Sequence, residues 1–333
     1  MRNLFSVFLL FTYLVTFSQV SDFESINFEI ADNTAKLHEG NSLDNLPILS
    51  YELTHNLTTD VEKFRSIFYW VCHNIYGDDA QDTKVTNKRK KLSNDSIAYK
   101  NWNNQHKEKF FKRLFKQKKT VCTGYAYLIK ELCFFAKIEC KMIDGYGRNI
   151  EANVESLDLI NHTWNEVKLN NKWYLCDATW ASGYSDEKGN FIKEFNEGYF
   201  LASPDIFYKN HILIKQFDFY QNIKKLPPLV YGEALKYDIN PTYPKELSFS
   251  KTKNEEFNLE FTSNNNLNLD LISVVYQLST KEIKIPVLEL NKNEKNYKIK
   301  LKFNSKGKYD IHIKYKNEYI FTYIINIINT IKR

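Results

Sequence analysis

The chain has 333 residues, a formal net charge of +6, 43% hydrophobic residues and 26% charged ones. That length and apolar content are enough for two packed domains. Five cysteines, an odd number, exclude complete internal disulfide pairing, and no segment beyond the first is long and apolar enough to cross a bilayer.

Residues 1–18 combine Arg2, an apolar run from Leu4 to Phe17 and small residues at Thr16 and Ser18, the pattern of a signal peptide rather than a membrane span. No cysteine follows that run to take a lipid anchor. The expected mature chain is therefore soluble and extracytoplasmic, either secreted or periplasmic, with no transmembrane segment after cleavage. Residues 19–225 read as a first domain. From Asn41 to Ile75 the pattern is helical and ends in one apolar stripe, Val61, Phe64, Ile67, Phe68, Val71, Cys72 and Ile75. Cys72 and the adjacent His73 read as a core thiol and a surface imidazole, since no paired ligand spacing accompanies them.

Composition then shifts. Between Lys84 and Lys119 there are thirteen Lys or Arg against Asp95 and Glu108, a local charge of +11 that leaves the rest of the chain acidic. Residues 84–119 read as a basic insertion carrying a short amphipathic helix around Phe110, Phe111, Leu114 and Phe115. Its charge could attract an anionic envelope or glycan surface, and cations near the following cysteine would lower its pKa.

In the next stretch, VCTGYAYLIKELCFFA, apolar positions recur at Tyr125, Leu128, Ile129, Leu132, Cys133 and Ala136, so Cys122 opens an amphipathic helix. There the unpaired N–H groups and the macrodipole favour a thiolate. Thr123 can cap this helix, and Gly124 allows a substrate or another chain to come close. A strand follows over Glu139 to Tyr146. Trp164 to Leu169 and Lys172 to Ala178 then form a hairpin about Asn170-Asn171, in which paired residue numbers sum to 341. That register puts His162 opposite Thr179 and Asp177 opposite Trp164, so His162 and Asp177 are diagonal neighbours on one face, within reach of a hydrogen bond. A slip of one residue would separate them.

Residues 226–245, opening with Leu226-Pro-Pro-Leu-Val, read as a linker. Seven short alternating runs follow: Leu247–Ser250, Phe257–Phe261, Leu269–Gln277, Ile283–Leu290, Tyr297–Phe303, Tyr309–Tyr315 and Tyr319–Ile327. Residues 246–333 therefore read as an all-β sandwich of immunoglobulin-like type. It holds no cysteine, which suits docking or shielding better than chemistry.

A cysteine at a helix start, then a histidine, then an aspartate is the minimum for thiol-based acyl transfer. At these residues VCTGYA, NHTWNEV and WYLCDATWASG resemble the three motifs of the transglutaminase-like superfamily. The resemblance runs from about Leu43 to His211, because SIFYWVCHNIYGDD is similar to the family's helix before the nucleophile and GYFLASPDIFYKNH to its closing segment. It implies an α+β fold, a papain-like core of helices packed on an antiparallel sheet. It also implies Cys122 as nucleophile, His162 as base and Asp177 as orienting acid, with no cofactor and no metal. Thr120 stands where family members often have Gly. Trp164, Trp173 and Trp180 would wall a substrate groove, with Trp164, Trp180 and Gly124 touching substrate. The Cys122 N–H would donate to the oxyanion with a second donor, Gln105 or Trp102. The expected function is a secreted thiol-dependent acyl-transfer enzyme acting on peptide or protein amides, by hydrolysis. Transfer of glutamine acyl groups to amines, or a non-catalytic binding module, are the alternatives.

Overall fold

The computed structural model describes residues 20–223, 225–278 and 281–329; the signal peptide expected over 1–18 lies outside them. The described chain has helices α1 (Glu29–Leu37), α2 (Leu46–Thr54) and α3 (Asp60–Asn74) in its N-terminal part. Thr59 and Glu62 start α3 with a reciprocal capping box, and the expected apolar stripe from Val61 to Ile75 is buried throughout.

Strand β1 (Tyr76–Gly77), helices α4 (Asp79–Lys91) and α5 (Ser96–Gln117) and strand β2 (Lys119–Thr120) lead into helix α6 (Cys122–Phe135). The basic segment is thus a helical hairpin containing a helix of 22 residues rather than one short helix. Its ends are held together because β1 and β2 pair in parallel, Gly77 opposite Thr120.

Strands β3 (Cys140–Gly147), β4 (His162–Leu169) and β5 (Lys172–Cys176) follow, then helix α7 (Ala178–Ser182), the small hairpin β6 (Gly183–Ser185) and β7 (Phe191–Lys193), helix α8 (Pro204–Phe207), strand β8 (His211–Leu213) and helix α9 (Phe217–Ile223). The main sheet has the order β5-β4-β3-β8 and is antiparallel. Asn170 and Asn171 both take positive φ, 49° and 64°, as a two-residue hairpin turn requires. Asn165 accordingly pairs with Cys176 and Leu169 with Lys172, the register that sums to 341. Helix α6 is pinned to this sheet by Asn165, whose Nδ2 donates to the Ala126 carbonyl at 3.0 Å. It is pinned to α3 by Tyr125, whose hydroxyl donates to the Ile75 carbonyl at 2.9 Å.

The segment 226–245 is built into the fold rather than being a bare linker. It supplies β9 (Leu229–Val230), α10 (Gly232–Lys236) and β10 (Ile239–Tyr243). The sandwich continues through β11 (Ser248–Thr252), β12 (Glu256–Ser263), β13 (Ile272–Leu278), β14 (Lys281–Lys284), β15 (Glu289–Asn293), β16 (Asn296–Lys302), β17 (Gly307–Tyr315) and β18 (Glu318–Ile328). One sheet runs β10-β12-β16-β15 and the other β11-β18-β17-β13-β14, with β9 also on β18. Alternate residues Phe257, Leu259 and Phe261 point inward. Across the interface Phe261 meets Phe321, with ring centres 5.6 Å apart. The run read as a single strand over 283–290 is two strands in different sheets, β14 on β13 and β15 on β16. Pro286 lies between them and has no N–H to continue a ladder.

Where the mixed helix-and-sheet part of the chain meets the β-rich C-terminal region, Arg148 is 1% exposed. Its Nε donates to Asn153 O at 3.0 Å, Nη2 to Val154 O at 3.0 Å, and Nη1 to Lys209 O at 2.5 Å and Pro227 O at 3.0 Å. One guanidinium therefore satisfies four carbonyls from the connection after β3, the approach to β8 and the entry to the sandwich. An orphaned buried acceptor costs about 1–3 kcal/mol, so Arg148→Met should lower the unfolding free energy by roughly 3 kcal/mol or more. Urea unfolding followed by tryptophan fluorescence measures this, and an unchanged midpoint would contradict it.

Candidate active site

Cys122 is the first residue of α6, after an extended Val121, and no side chain caps the helix. Thr123, which the sequence offered as a cap, lies instead against Thr163, with hydroxyls 3.5 Å apart. The helix N–H groups are thus left to act on what binds beside the thiol. Gly124 has a packing reason to lack a side chain, because a Cβ there would run into the Thr120 side chain. Thr120, where the resembling family often has Gly, fills the space that Gly124 vacates.

The structure brings Cys122, His162 and Asp177 together. His162 opens β4, and its Nε2 is 2.7 Å from Asp177 Oδ2; the ring also acts on the Cys122 thiol, whose sulfur lies 4.0 Å from the Asn161 carbonyl oxygen. Asp177 is not a strand residue as the hairpin reading had it. β5 stops at Cys176, and Asp177 caps α7, its Oδ1 accepting the N–H of Thr179 at 2.8 Å and of Trp180 at 3.3 Å. An aspartate at this position satisfies a new helix start, which ends the hairpin while keeping the carboxylate on the face of His162.

The sequence reading gave no role to His211. It is fully buried, with Nε2 3.1 Å from Asp177 Oδ2 and Nδ1 2.6 Å from Asn210 Oδ1. It sits in the segment GYFLASPDIFYKNH, but only the sheet order, which places β8 beside β3, brings it to the site.

The electrostatics follow from burial and these partners. Burial alone pushes the Asp177 carboxyl up, but the His162 charge and the imidazole hydrogen bonds hold it well below the usual carboxylate range. Burial pushes the His162 imidazole down, yet the Asp177 charge and hydrogen bond, with those of Cys122, carry it up to about 10. Burial likewise disfavours the Cys122 thiolate, but the His162 hydrogen bond and charge, with Arg89 adding to them, leave the thiol below its ordinary value. Burial, with the His162 charge adding to it, pushes the His211 imidazole down to about 4 against the Asp177 hydrogen bond and charge and a backbone hydrogen bond at Phe207. His162, Asp177 and His211 bring potential metal-ligand atoms within 4.8 Å of one another. Both Nε2 atoms meet the same carboxylate oxygen, so the cluster is already a closed hydrogen-bonded unit.

The tryptophans divide. Trp180 stacks on His162, centres 4.6 Å apart, and lies 4.4 Å from His211, so it orders the base. Trp164 is fully buried beneath both histidines and cannot touch a substrate as expected. Trp173 pairs opposite Lys168 near the hairpin turn, far along the strand from His162, under the ammonium of Lys141 at 3.7 Å. Trp102 packs among Tyr99, His106 and Phe110 and Gln105 is exposed, so neither reaches the oxyanion. Cys72 donates to the Ala178 carbonyl and His73 stacks on Tyr69, core contacts in both cases.

Beside Cys122 opens a cleft of about 740 Å³, the size of a small-ligand site. The α4–α5 hairpin forms one wall with Val85, Arg89, Phe110 and Phe111, and Met142, Tyr146 and Leu159 form the other. Gly124 and His162 lie at its base. The basic segment is therefore part of the site.

Residues 48–178 match the profile of the transglutaminase-like superfamily, a span that includes Cys122, His162 and Asp177. The chain is 29% identical over 195 residues to kyphoscoliosis peptidase of Homo sapiens, covering 58% of this chain and 26% of that protein. It is 30% identical over 164 residues to kyphoscoliosis peptidase of Mus musculus, covering 48% and 22%. Over 81 residues it is 32% identical to cytokinesis protein 3 of Schizosaccharomyces pombe, covering 24% and 9%. The chain thus spans about a quarter, or less, of the length of these curated relatives. It carries a transglutaminase-like core followed by a β-rich C-terminal region, as the sequence led us to expect.

Burial raises Cys133 and Cys176 well above the ordinary thiol range and pushes Cys72 up to about 12. Iodoacetamide at mildly acidic pH should therefore alkylate Cys122 ahead of these three. The thiolate–imidazolium pair needs an ionised Cys122 and a protonated His162. Alkylation should fall as pH drops through the lowered thiol pKa and change again only near about 10, where His162 loses its proton. Labelling that spares Cys122, or that first rises near pH 9, would contradict the pair.

Proposed function

We propose that this protein is a secreted thiol-dependent acyl-transfer enzyme that acts on peptide or protein amide bonds and passes the acyl group to water. The series Cys122, His162, Asp177 beside the cleft carries this reading. The Cys122 thiolate attacks the amide carbonyl, and the C–N bond breaks as His162 gives its proton to the departing amine. Water then attacks the thioester while His162 takes a proton from it, and the C–S bond breaks, which frees the acid and restores the thiolate beside a protonated His162. Asp177 stays ionised throughout and fixes the His162 ring.

Hydrolysis is favoured over transamidation because water is abundant and no feature reserves the acyl-enzyme for an amine. The peptidase names of two relatives agree with that choice. The apolar run from Leu4 to Phe17 supports secretion. Among the described residues no helix is long and apolar enough to cross a membrane. The lysines of α4 and α5 would bring the open cleft to an anionic envelope or glycan surface.

The protein and its Cys122→Ala variant, incubated with peptide and cell-envelope amides with and without a primary amine, should differ in products read by mass spectrometry. Hydrolysed products that vanish with Cys122→Ala are expected; products heavier by the mass of the amine would indicate transamidation. Identical patterns from both proteins would favour a binding module. His162→Ala should match Cys122→Ala, whereas Asp177→Asn should lose on the order of 10²- to 10⁴-fold in kcat.

A further inference from the structure

We infer that Gln81 supplies the second hydrogen bond to the oxyanion formed when Cys122 attacks an amide carbonyl, an inference that rests on the acyl-transfer reading above. Both expected candidates lie elsewhere: Trp102 is stacked within α5 and Gln105 is exposed. The chain brings another amide to the place. Because β1 and β2 are parallel, the segments leaving them run in the same direction. α4 begins two residues after Gly77, and α6 begins two residues after Thr120. Parallel strands lie ~4.8 Å apart, so the first turns of the two helices stand side by side. Asp78 locks them there, its N–H donating to Thr120 O at 3.0 Å and its carboxylate accepting the Gln81 N–H at 3.0 Å. Arg113 holds the other carboxylate oxygen of Asp78 at 2.7 Å.

Gln81 is 5% exposed and lines the cleft with Val121, Thr123, Gly124 and His162. Its Oε1 has no hydrogen-bond partner among the described residues. A buried amide left in this state costs about 1–3 kcal/mol, and here it borders the space where a carbonyl must sit for attack. With its oxygen unpartnered, the amide can turn its N–H₂ toward that space. When the thiolate adds, the carbonyl π pair moves onto oxygen, and the Cys122 N–H and Gln81 Nε2–H receive it. When the tetrahedral species collapses, the pair returns and the C–N bond breaks. Gln81 transfers no proton; it stabilises charge present in the transition state and absent from the ground state.

This role separates from a merely structural one through two reagents. A panel of N-acetyl dipeptide aldehydes adds to Cys122 as a tetrahedral hemithioacetal whose oxygen uses the oxyanion donors, whereas iodoacetamide alkylates the same thiolate without them. Gln81→Ala should weaken the tightest aldehyde on the order of 10²-fold and leave the alkylation rate within about twofold. Gln81→Glu, which keeps the shape and adds a like charge, should weaken it at least as much. The inference is overturned if both reagents slow together, since Gln81 would then act on the thiol or the fold, or if aldehyde affinity is unchanged. Failure of the wild type to bind any aldehyde, with Cys122 still alkylated, would defeat the acyl-transfer reading itself.

Discussion

A carboxylate removed from water has to find its solvation within the protein, and Asp177 finds it from four donors. Two imidazoles converge on Oδ2 and two backbone N–H groups on Oδ1. So held, it is an anion that burial does not neutralise, and the rest of the site takes its charges from it. The anion keeps His162 protonated, and the protonated ring in turn holds the Cys122 thiol below its usual pKa. Each requirement of this arrangement fixes a piece of structure. β5 has to end at Cys176 so that Asp177 can cap α7, the hairpin has to keep its register, and β8 has to lie beside β3 to deliver His211.

The dependence extends into the C-terminal sandwich. Asn210, whose Oδ1 meets His211, donates from Nδ2 to the Val230 carbonyl at 3.2 Å. Val230 belongs to β9, which pairs with β18 of the sandwich. Arg148 ties the same junction through Lys209 and Pro227. The β-rich region thus braces the back of the site through a continuous run of hydrogen bonds and adds no reactive side chain to it.

Much of this was legible in the sequence because local rules decide it. Two asparagines that tolerate positive φ set the hairpin, and the hairpin fixes which residues face Cys122. The α3 stripe and the helix behind Cys122 follow from periodicity, and the inward alternation of the sandwich strands follows from the pleat. What was hidden depends on distant pairing. His211 lies 34 residues from Asp177 and reaches it only through sheet order. Gln81 comes near Cys122 only because a two-residue parallel bridge closes the whole α4–α5 hairpin. Trp164 was misread because tryptophans beside a catalytic motif wall a groove or fill the core with equal ease, and only burial tells which. The segment 226–245 was read as a linker from its prolines, although a strand as short as Leu229–Val230 has too few residues to show a period.

The claim on which all of this turns is that Cys122 and His162 form a thiolate–imidazolium pair held by a buried Asp177. Ring ¹⁵N chemical shifts of His162, assigned with His162→Gln and followed through a pH titration, report it directly. We expect both ring nitrogens of His162 to be protonated at neutral pH in the wild type and the ring to lose its proton at markedly lower pH in Cys122→Ala, where the thiolate is gone. A neutral His162 ring at neutral pH, titrating alike with and without the Cys122 thiol, would contradict the account.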